Sequence, residues 1–569
     1  MTKKASIETT AEAYLELLAA RGVEYFFGNA GTDFAPIIEA YARRGAHGQL
    51  LPRPITVPHE APAVGMAHGY AMITGRPQAV MVHVIVGTAN ALGGVINAAR
   101  GGVPMLFTAG RNPITESGLP GSRERQIHWA QESFDQGAIV REFVKWDYEL
   151  RNFIQLETVV DRALAITQAE PQGPVYLTLP REVLAERHES LEYADPSRAP
   201  RPSDVVAAPD AVEEAARILA VAKNPVVIAK ALGRDPRAVD AMVGLAEVAA
   251  LPVVDHFHTH VNFPQDHPLH AGFDATPYLD EADALVVVES DAPWFPHLKS
   301  PRPEAKLVQI GVDPLFTRYP IRGFGADVAL AGTVRLTLAA LADALRSRVD
   351  RHLVGERRAR WQAEHARRRE GWAAAARRVQ GDRPIDMAWL SRCVGELVDE
   401  QTIVVNEYDL DPTQTCFRAP GSYFNGPASS SLGWGLGAAL GAKLAAPDKT
   451  VICTVGDGAY VFGAPTAAHF VARAYEIPVL FVVFNNRAWN AVKRAVHGLA
   501  PDGFAVKTGS MVLSDLEPSP DYELVCRASG GHAERVEDPA ELPRALRRAL
   551  SVVREEKRQA LLNVICKKP

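Results

Sequence analysis

The chain has 569 residues, is 47% apolar and 22% charged, and carries a formal net charge of −6 at pH 7. A chain of this length does not form a single core, so several domains are expected. Nothing in the charge balance indicates nucleic acid or an anionic membrane as a partner. No segment approaches the ~20 apolar residues of a membrane span, and no apolar segment follows the first lysines as in a signal peptide. We therefore expect a cytoplasmic protein.

The five cysteines are widely spaced and include no CxxC pair. This pattern fits a reducing compartment and argues against both a disulfide framework and a thiolate zinc site. The cysteines are Cys393, Cys416, Cys453, Cys526 and Cys566.

The first block, residues 1–185, alternates helix-like and strand-like segments. The run TAEAYLELLAARGV has apolar residues at helical spacing and predicts an amphipathic helix. Short β-branched runs bounded by Gly or Pro predict strands, among them YFFGN, PQAVMVHVIVG, VPMLFTAG and GPVYLTLP. This alternation predicts an α/β domain with a parallel sheet flanked by helices.

Two further blocks repeat the pattern. The Pro- and Ser-containing stretch YADPSRAPRPSD predicts a linker to a central α/β block at 200–350. An Arg-rich run at 351–378, interleaved with Glu and Ala, predicts a solvated linker helix within 351–382, rather than a nucleic-acid or acyl-CoA site. A third α/β block covers 383–569, and no repeat is detectable at the level of residues. The prediction is three α/β domains, each with a parallel sheet flanked by helices.

The third block contains the most informative motif. One apolar strand ends in Gly456-Asp457-Gly458, and the next ends in Asn485-Asn486. The carboxyl ends of parallel strands form the ligand-binding edge of a sheet, so the Asp and an Asn are expected to converge there. Their oxygens suit Mg²⁺ or Ca²⁺, and glycines allow a phosphate to approach the backbone closely. The stretch predicts a metal–diphosphate clamp.

A GDG followed about thirty residues later by NN resembles the diphosphate motif of thiamine diphosphate (ThDP) enzymes. Further segments resemble that family in the family's order, including VPHEAPAVGMAHGYAMITGRP, FGNAGTDFAP, HVIVGTANALGG and SSSLGWGLGAALGAK. Together they cover most of the chain and are most similar to the benzoylformate decarboxylase branch, with acetolactate synthase more distant. The resemblance implies the three-domain ThDP-binding fold.

The resemblance also implies roles for particular residues. Glu60 matches the glutamate that activates the cofactor, by favouring the 4′-imino tautomer that removes the thiazolium C2 proton. Leu432 matches an apolar wedge beneath the thiazolium. The implied Mg²⁺ ligands are the side chains of Asp457 and Asn486 and the backbone carbonyl of Ala488. The implied cofactor-binding residues are Glu60, Asn90, Leu432, Gly456, Asp457, Gly458, Ala459 and Asn486.

Three residues match substrate-facing positions of the benzoylformate branch. His83 lies in VMVHVIVGTAN, where that branch has an acid–base histidine; a lone His in an apolar strand is otherwise a core residue. Thr32 stands where the branch has a serine that contacts the substrate carboxylate. His297 is near a second histidine position, but its alignment needs a shift of one residue.

Other positions depart from the family pattern. Asp409 or Asp411 stands where hydroxyl residues lie near the diphosphate, and either would repel phosphate unless it turned away or helped to hold the metal. Lys493, Arg494 and His497 follow the NN motif, where aryl-pocket residues are not evident. A polar or anionic substrate is therefore as plausible as an aryl one. In classical acetolactate synthase, a segment of the type GARFDDR accompanies flavin binding. The central block has no segment resembling it, so we do not expect FAD.

The segment HFHTH could place His256, His258 and His260 on one strand face with the spacing of metal ligands. It precedes FPQDHP, an ordinary turn of the family, so we expect no metal at these histidines.

The function that the resemblance implies is ThDP- and Mg²⁺-dependent non-oxidative decarboxylation of a 2-oxo acid, through an enamine, to an aldehyde. Alternatives are a carboligase of the acetolactate synthase type, a 2-hydroxyacyl-CoA lyase and, more distantly, a non-catalytic ThDP-fold binding protein. The expected partner is a small 2-oxo acid, with no nucleic acid and no membrane. A homodimer or homotetramer with active sites at subunit interfaces is also expected.

Overall fold

The computed structural model describes residues 2–200 and 202–568, so Arg201 of the predicted linker lies outside the described residues. Within these ranges the chain forms three α/β domains, each with a parallel sheet and flanking helices, as the sequence predicts. The strands at the centre of each sheet are buried along nearly their whole length, which is typical of parallel sheets covered by helices. None of the helices in the described ranges is both long enough and apolar enough to cross a membrane.

The first domain contains a six-stranded parallel sheet of order β3-β2-β4-β5-β7-β6 and a separate antiparallel pair of its first and last strands. Its strands are β1 (Thr2–Ser6), β2 (Tyr25–Gly28), β3 (Arg53–Thr56), β4 (Ala79–Val82), β5 (Met105–Arg111), β6 (Asp147–Glu149), β7 (Pro174–Pro180) and β8 (Ser190–Ala194). Its helices are α1 (Thr10–Ala20), α2 (Ala35–Ala46), α3 (Glu60–Thr74), α4 (Val84–Gly101), α5 (Ile127–Ala130), α6 (Leu156–Gln168) and α7 (Arg181–Ala185).

The central domain has a five-stranded parallel sheet of order β10-β9-β11-β12-β13. Its strands are β9 (Pro225–Ala229), β10 (Val253–Asp255), β11 (Ala284–Val288), β12 (Lys306–Gly311) and β13 (Val328–Ala331). Its helices are α8 (Pro209–Val221), α9 (Pro236–Ala249) and α10 (Val334–Arg346).

The Arg-rich run forms helix α11 (Arg351–Arg378), so the helix prediction is confirmed. It is not wholly solvated, however, because Arg357 and Trp361 are buried against the central domain. The Arg357 guanidinium donates to the carbonyls of Ala249 at 2.7 Å and Ala222 at 2.8 Å, which ties the helix to that domain.

The last domain has a six-stranded parallel sheet of order β15-β14-β16-β17-β19-β18. Its strands are β14 (Thr402–Glu407), β15 (Tyr423–Asn425), β16 (Thr450–Gly456), β17 (Val479–Asn485), β18 (His532–Val536) and β19 (Ala560–Ile565). Its helices are α12 (Met387–Gly395), α13 (Trp434–Ala445), α14 (Asp457–Phe462), α15 (Pro465–Ala474), α16 (Asn490–Leu499), α17 (Phe504–Thr508), α18 (Tyr522–Ala528) and α19 (Leu542–Arg554).

The first and last domains share one sheet topology. In each sheet the second strand along the chain lies at one edge, beside the first, and the third to sixth strands follow in the same arrangement. Strands β2 and β4 therefore correspond to β14 and β16, and helix α3 corresponds to α13. This repeat is structural, since the sequence shows no repeat at the level of residues.

The corresponding helices α3 and α13 pack against each other and join the first domain to the last. Glycines make the close approach possible: a Cβ on Gly69 would overlap the carbonyl oxygen of Ala438, and one on Gly437 would lie 2.7 Å from the carbonyl oxygen of Pro62. Side chains of both domains accordingly share one hydrophobic core.

Two sequence interpretations of local structure are wrong. The strand predicted over PQAVMVHVIVG ends at Val82, and Val84 begins α4, so His83 lies between a strand and a helix. The predicted strand through HFHTH ends at Asp255, and Phe257 has a φ of +49° that interrupts extended backbone. The three histidines of HFHTH therefore do not share a strand face.

Candidate functional site

The first half of the site is at the carboxyl ends of the first domain's strands. Glu60 is the first residue of α3 and is only 9% exposed. Its Oε2 accepts a hydrogen bond of 2.5 Å from Nδ2 of Asn90 on α4. A Cβ on Gly87 would lie 3.3 Å from Glu60 Oε1, so α4 passes close to the carboxylate. The fold thus brings together two residues that the sequence assigned to the cofactor.

His83 lies on the same rim, after β4, and its Nδ1 donates to Oδ1 of Asp33 at 2.5 Å. Asp33 is 3% exposed and follows β2, the strand next to β4. The hydrogen bond to Asp33 is the largest influence on His83 and raises its pKa above the ordinary value, with smaller contributions from Gln131 and Glu60, while burial lowers it. Sequence reasoning missed Asp33; the only local signal was an acid directly after Thr32.

The other predicted substrate-facing residues are placed differently. Thr32 is half-buried and begins the short 3₁₀ turn after β2, directly before Asp33. His297 is exposed in the loop after β11 of the central domain. Within this chain, His83 and Thr32 share one rim, whereas His297 lies on another domain.

The second half of the site is at the carboxyl ends of β16 and β17. Asp457 begins α14, and its Oδ2 accepts the backbone N–H of Arg487 at 2.8 Å. Asn486 follows β17, and its Oδ1 accepts the backbone N–H of Ala488 at 2.9 Å. Because both side chains are about 1% exposed, the predicted convergence of the GDG and NN motifs occurs at a buried edge.

A cleft of about 220 Å³ opens beside these residues. Its lining includes the predicted cofactor residues Leu432, Gly456, Asp457, Gly458, Ala459 and Asn486. Leu432 is held just before α13, because the buried Glu407 carboxylate accepts the backbone N–H groups of Gly433 and Gly435, each at 2.7 Å. Glu407 was not identified from the sequence, since nothing local distinguishes it from a strand-ending acid.

Asp409 and Asp411 have different positions. Asp411 is turned away, because its carboxylate accepts from the backbone N–H and the hydroxyl of Thr413. Asp409 lines the cleft, and a Cβ on Gly456 would overlap its carboxylate. Burial raises the pKa of Asp409 to about 6, with Arg494 acting in the opposite direction. Of the two departures from the family pattern, only Asp409 faces the cleft.

The cleft is rich in acceptors and short of positive charge. Burial, aided by the nearby Asp409 carboxylate, raises the pKa of Asp457 to about 7. Among the described residues, no Lys or Arg side chain forms an ion pair with Asp457. Asn490 also lines the cleft, and its buried Oδ1 has no hydrogen-bond partner there. A cation carrying a diphosphate would satisfy these groups, so the residues fit the cofactor that the sequence predicted.

The predicted metal ligands would have to share the cation with another group. In the described ranges, no cluster of three or more His, Cys, Asp or Glu side chains could hold a metal by itself. The oxygens of Asp457, Asn486 and the Ala488 carbonyl are of the hard type that Mg²⁺ takes, and Mg²⁺ commonly completes its shell with phosphate and water.

The basic residues after the NN motif lie on α16, none of whose residues is buried. Lys493 is paired with Asp515 at 2.8 Å, His497 is exposed, and Arg494 lines the cleft. Only Arg494 of the three therefore faces the cofactor cleft within this chain.

Within this chain, the residues of the first half do not line the cleft of the second half. The cleft is lined by residues 408–494 alone, and no described residue of the first domain lines it. Glu60 and His83 therefore stand on one rim, and the residues that fit a metal diphosphate stand on another.

Comparisons with known proteins match each of the three domains to a family model. Three family models for thiamine pyrophosphate enzymes match the chain: the N-terminal TPP binding domain over residues 8–139, the central domain over 212–341 and the C-terminal TPP binding domain over 412–564. The matched ranges contain Glu60 and His83 in the first case and the GDG and NN motifs in the last.

Individual relatives also match over nearly the whole chain. Benzoylformate decarboxylase from Pseudomonas aeruginosa is 28% identical over 96% of this chain and 98% of its own length. The large subunit of acetolactate synthase isozyme 3 from Escherichia coli is 25% identical over 96% of this chain and 93% of its own. The solved ThDP-dependent 4-hydroxybenzoylformate decarboxylase of Rhodococcus jostii is 24% identical and has the same fold, with a TM-score of 0.77 over 99% of both chains. The chain therefore belongs to the thiamine pyrophosphate enzyme family, and within it to the decarboxylase and acetolactate synthase group.

Proposed function

We propose that this enzyme decarboxylates a 2-oxo acid to an aldehyde with ThDP and Mg²⁺. When bound, the cofactor would supply a carbon nucleophile for the ketone and an electron sink for the pair left by CO₂. The protein binds and orients the reactants, excludes water and moves protons. The observation that carries the proposal is His83, an imidazole on the same rim as the buried Glu60–Asn90 pair and electrostatically coupled to Glu60.

Each residue has one task in this proposal. Glu60 would accept a hydrogen bond from the aminopyrimidine of the cofactor, with Asn90 holding its carboxylate in place. Asp457, Asn486 and the carbonyl of Ala488 would bind Mg²⁺ and, through it, the diphosphate. His83 would donate the proton that replaces CO₂ on the substrate carbon, a step that precedes release of the aldehyde. This donor favours protonation over attack on a second carbonyl.

The proposal requires two copies of the chain at each site, because the two halves lie on separate rims. Both halves are accompanied by exposed apolar side chains, which mark interaction surfaces when they cluster. In the segment around Gln131, which neighbours His83, these are Ile127, Trp129 and Phe134. Near the second half they are Tyr408, Val461, Phe462, Val492 and Leu499. A homodimer or homotetramer that joins the first domain of one copy to the last domain of another would complete the site.

The test is carbon NMR of products after incubation with ThDP, Mg²⁺ and a ¹³C-labelled 2-oxo acid. The panel contains pyruvate, benzoylformate and a 2-oxo acid with a charged side chain, since no aryl pocket is evident. We expect CO₂ and an aldehyde that contains one substrate unit. Acetolactate or another product with two units would overturn the proposal in favour of ligation. An absence of turnover with every member of the panel would also contradict it.

A histidine variant sharpens this test. His83→Gln should slow aldehyde release by roughly 10²- to 10⁴-fold, as expected for loss of a general acid. His352→Gln changes an exposed histidine on α11 and is the matched control. Equal rates for the two variants would remove His83 from the reaction.

A further inference from the structure

We propose that Asp33 is a positioning residue that holds His83 as the proton donor, accepting a hydrogen bond from Nδ1–H and leaving Nε2–H to serve the reacting carbon. This inference rests on the proposed function. It concerns a residue that the sequence did not single out, at the end of a different strand from His83.

The first support is the closeness and burial of the pair. Nδ1 of His83 is 2.5 Å from Oδ1 of Asp33, and hydrogen bonds to a charged acceptor are shorter and stronger than neutral ones. The Asp33 side chain is 3% exposed and that of His83 is 18% exposed, so water competes little for the contact. A Cβ on Gly31 would overlap the imidazole. The turn after β2 therefore packs directly against the ring.

The second support is the backbone that follows His83. Val84 has a φ of +33°, which a β-branched residue rarely adopts. Its N–H donates to Oδ2 of Asp33 at 3.3 Å, so one carboxylate holds both the ring of His83 and the strained residue after it. Strained residues persist where their surroundings over-determine them. Asp33 is thus part of what fixes the direction of the imidazole.

The third support is the room made for the carboxylate. A Cβ on Gly110, at the end of β5, would overlap Oδ2 of Asp33. Gly110 is in an extended strand and has no positive φ, so packing rather than backbone conformation requires a glycine here. The carboxylate can therefore reach His83 only because β5 carries a glycine at this position.

The charges around the imidazole favour its protonated form. Asp33 and Glu60 are the carboxylates that raise the pKa of His83, and the side chain of Gln131 adds to them. Oε1 of Gln131 is buried and has no hydrogen-bond partner among the described residues. In the reaction, the Nε2–H bond breaks and a C–H bond forms at the carbon that lost CO₂. The resulting neutral imidazole then regains a proton from water.

The experiment is an NMR titration of the cofactor-free protein labelled at histidine ¹³Cε1. The signal of His83 is identified by its absence from His83→Gln. We expect a midpoint above the ordinary ~6.5 in the parent protein. Asp33→Asn should lower that midpoint by roughly one pH unit or more, since a neutral amide does not favour the cation. The same midpoint in both proteins, or a parent midpoint at or below ~6.5, would overturn the inference.

A second variant displaces the carboxylate without removing it. Gly110→Ala should push Asp33 away from His83 and lower the midpoint in the same direction, which keeps the test decisive if Asp33→Asn does not fold. Asp350→Asn, at the exposed start of α11, is the control for the charge change. Gly244→Ala, where an added Cβ meets nothing within 4 Å, is the control for the glycine change. Neither control should move the signal of His83.

Turnover provides a separate readout. If protonated His83 is the donor, kcat falls as pH rises through its pKa, and Asp33→Asn moves that fall to lower pH. If Asp33 had a purely structural role, Asp33→Asn would lower kcat at every pH but would not change the pH at which kcat falls. Because the NMR titration needs no turnover, the two proposals can fail independently. If Asp33→Asn shifts the His83 midpoint as expected but no 2-oxo acid is turned over, the proposed function is wrong. If decarboxylation occurs but Asp33→Asn does not shift the midpoint, the proposed role of Asp33 is wrong.

Discussion

In the first domain Asp33 follows β2 and His83 follows β4; at the corresponding places of the last domain, Asp409 follows β14 and Asp457 follows β16. The first pair combines an acid with an imidazole that it stabilises. The second combines two carboxylates, and each has a pKa raised by burial. The same strand order thus places an acid beside an imidazole on one rim and two carboxylates side by side on the other.

This difference indicates how the two halves are prepared for the cofactor. The first rim is preorganised, because Glu60 and His83 already have partners in Asn90 and Asp33. On the last rim, burial and then the neighbouring Asp409 carboxylate disfavour the ionised form of Asp457. Four predictions test or sharpen this comparison, in order of decreasing expected effect.

The largest effect is expected at Glu60. Glu60→Gln should lower kcat by roughly 10²- to 10⁴-fold, because an amide does not promote proton transfer at the aminopyrimidine. ThDP affinity, which depends mainly on the last rim, should change little. Steady-state rates and calorimetric titration with ThDP measure the two effects. Glu356→Gln, on the exposed face of α11, is the control, and near-normal turnover of Glu60→Gln would refute the assignment.

The next effect concerns the metal. Asp457→Asn should weaken Mg²⁺-dependent ThDP binding by roughly 10- to 100-fold or more, since a charged ligand is lost. Chelation of Mg²⁺ from the parent protein should have the same result. Calorimetry with and without Mg²⁺ makes the comparison. If ThDP binds Asp457→Asn with parental affinity, the GDG and NN rim does not hold the diphosphate through a metal.

A smaller effect is expected where the two rims are joined. Gly69→Ala inserts a methyl group into the contact of α3 with Ala438 and should destabilise the fold by about 1–3 kcal/mol. The melting temperature measures the change, and Gly244→Ala is the control. A melting temperature for Gly69→Ala equal to that of the control would mean that the helices do not pack this closely.

The smallest effect concerns the pH dependence of stability. The pKa of Asp409 is about 6 in the folded protein, above its ordinary value, so folding disfavours the ionised form. This penalty is absent below the unfolded pKa and complete above pH 6, so it grows as pH rises. Asp409→Asn should therefore raise the melting temperature of the cofactor-free protein by a few degrees at pH 8 but not at pH 4.

Asp411→Asn is the matched control for this prediction, because that carboxylate caps a turn outside the cleft. It should give no such gain. If Asp409→Asn raised the melting temperature equally at pH 4 and pH 8, ionisation of the Asp409 carboxylate would not be what destabilises the fold. The last rim would then resemble the first.

Much of the fold was predictable because its signals are local. Helix α1 and the strands around the GDG and NN motifs follow from periodicity, β-branched runs and the glycines that end them. The strand through His83 was predicted wrongly, because the apolar run continues without a break into α4 and periodicity alone does not separate a buried strand from a buried helix start. The close packing of α3 against α13 at their glycines could not be predicted from the sequence either, because each helix on its own is simply apolar.

The sequence by itself determined the α/β class, the family and the residues whose roles depend on a short motif, such as Asp457 and Asn486. Only the tertiary structure decided which partners those residues have. Asp33 is 50 residues from His83 along the chain and meets it because β2 and β4 are neighbours in the sheet. Strand order and the close packing that glycines permit are non-local, so the pairing of charges on each rim emerges only when the chain folds.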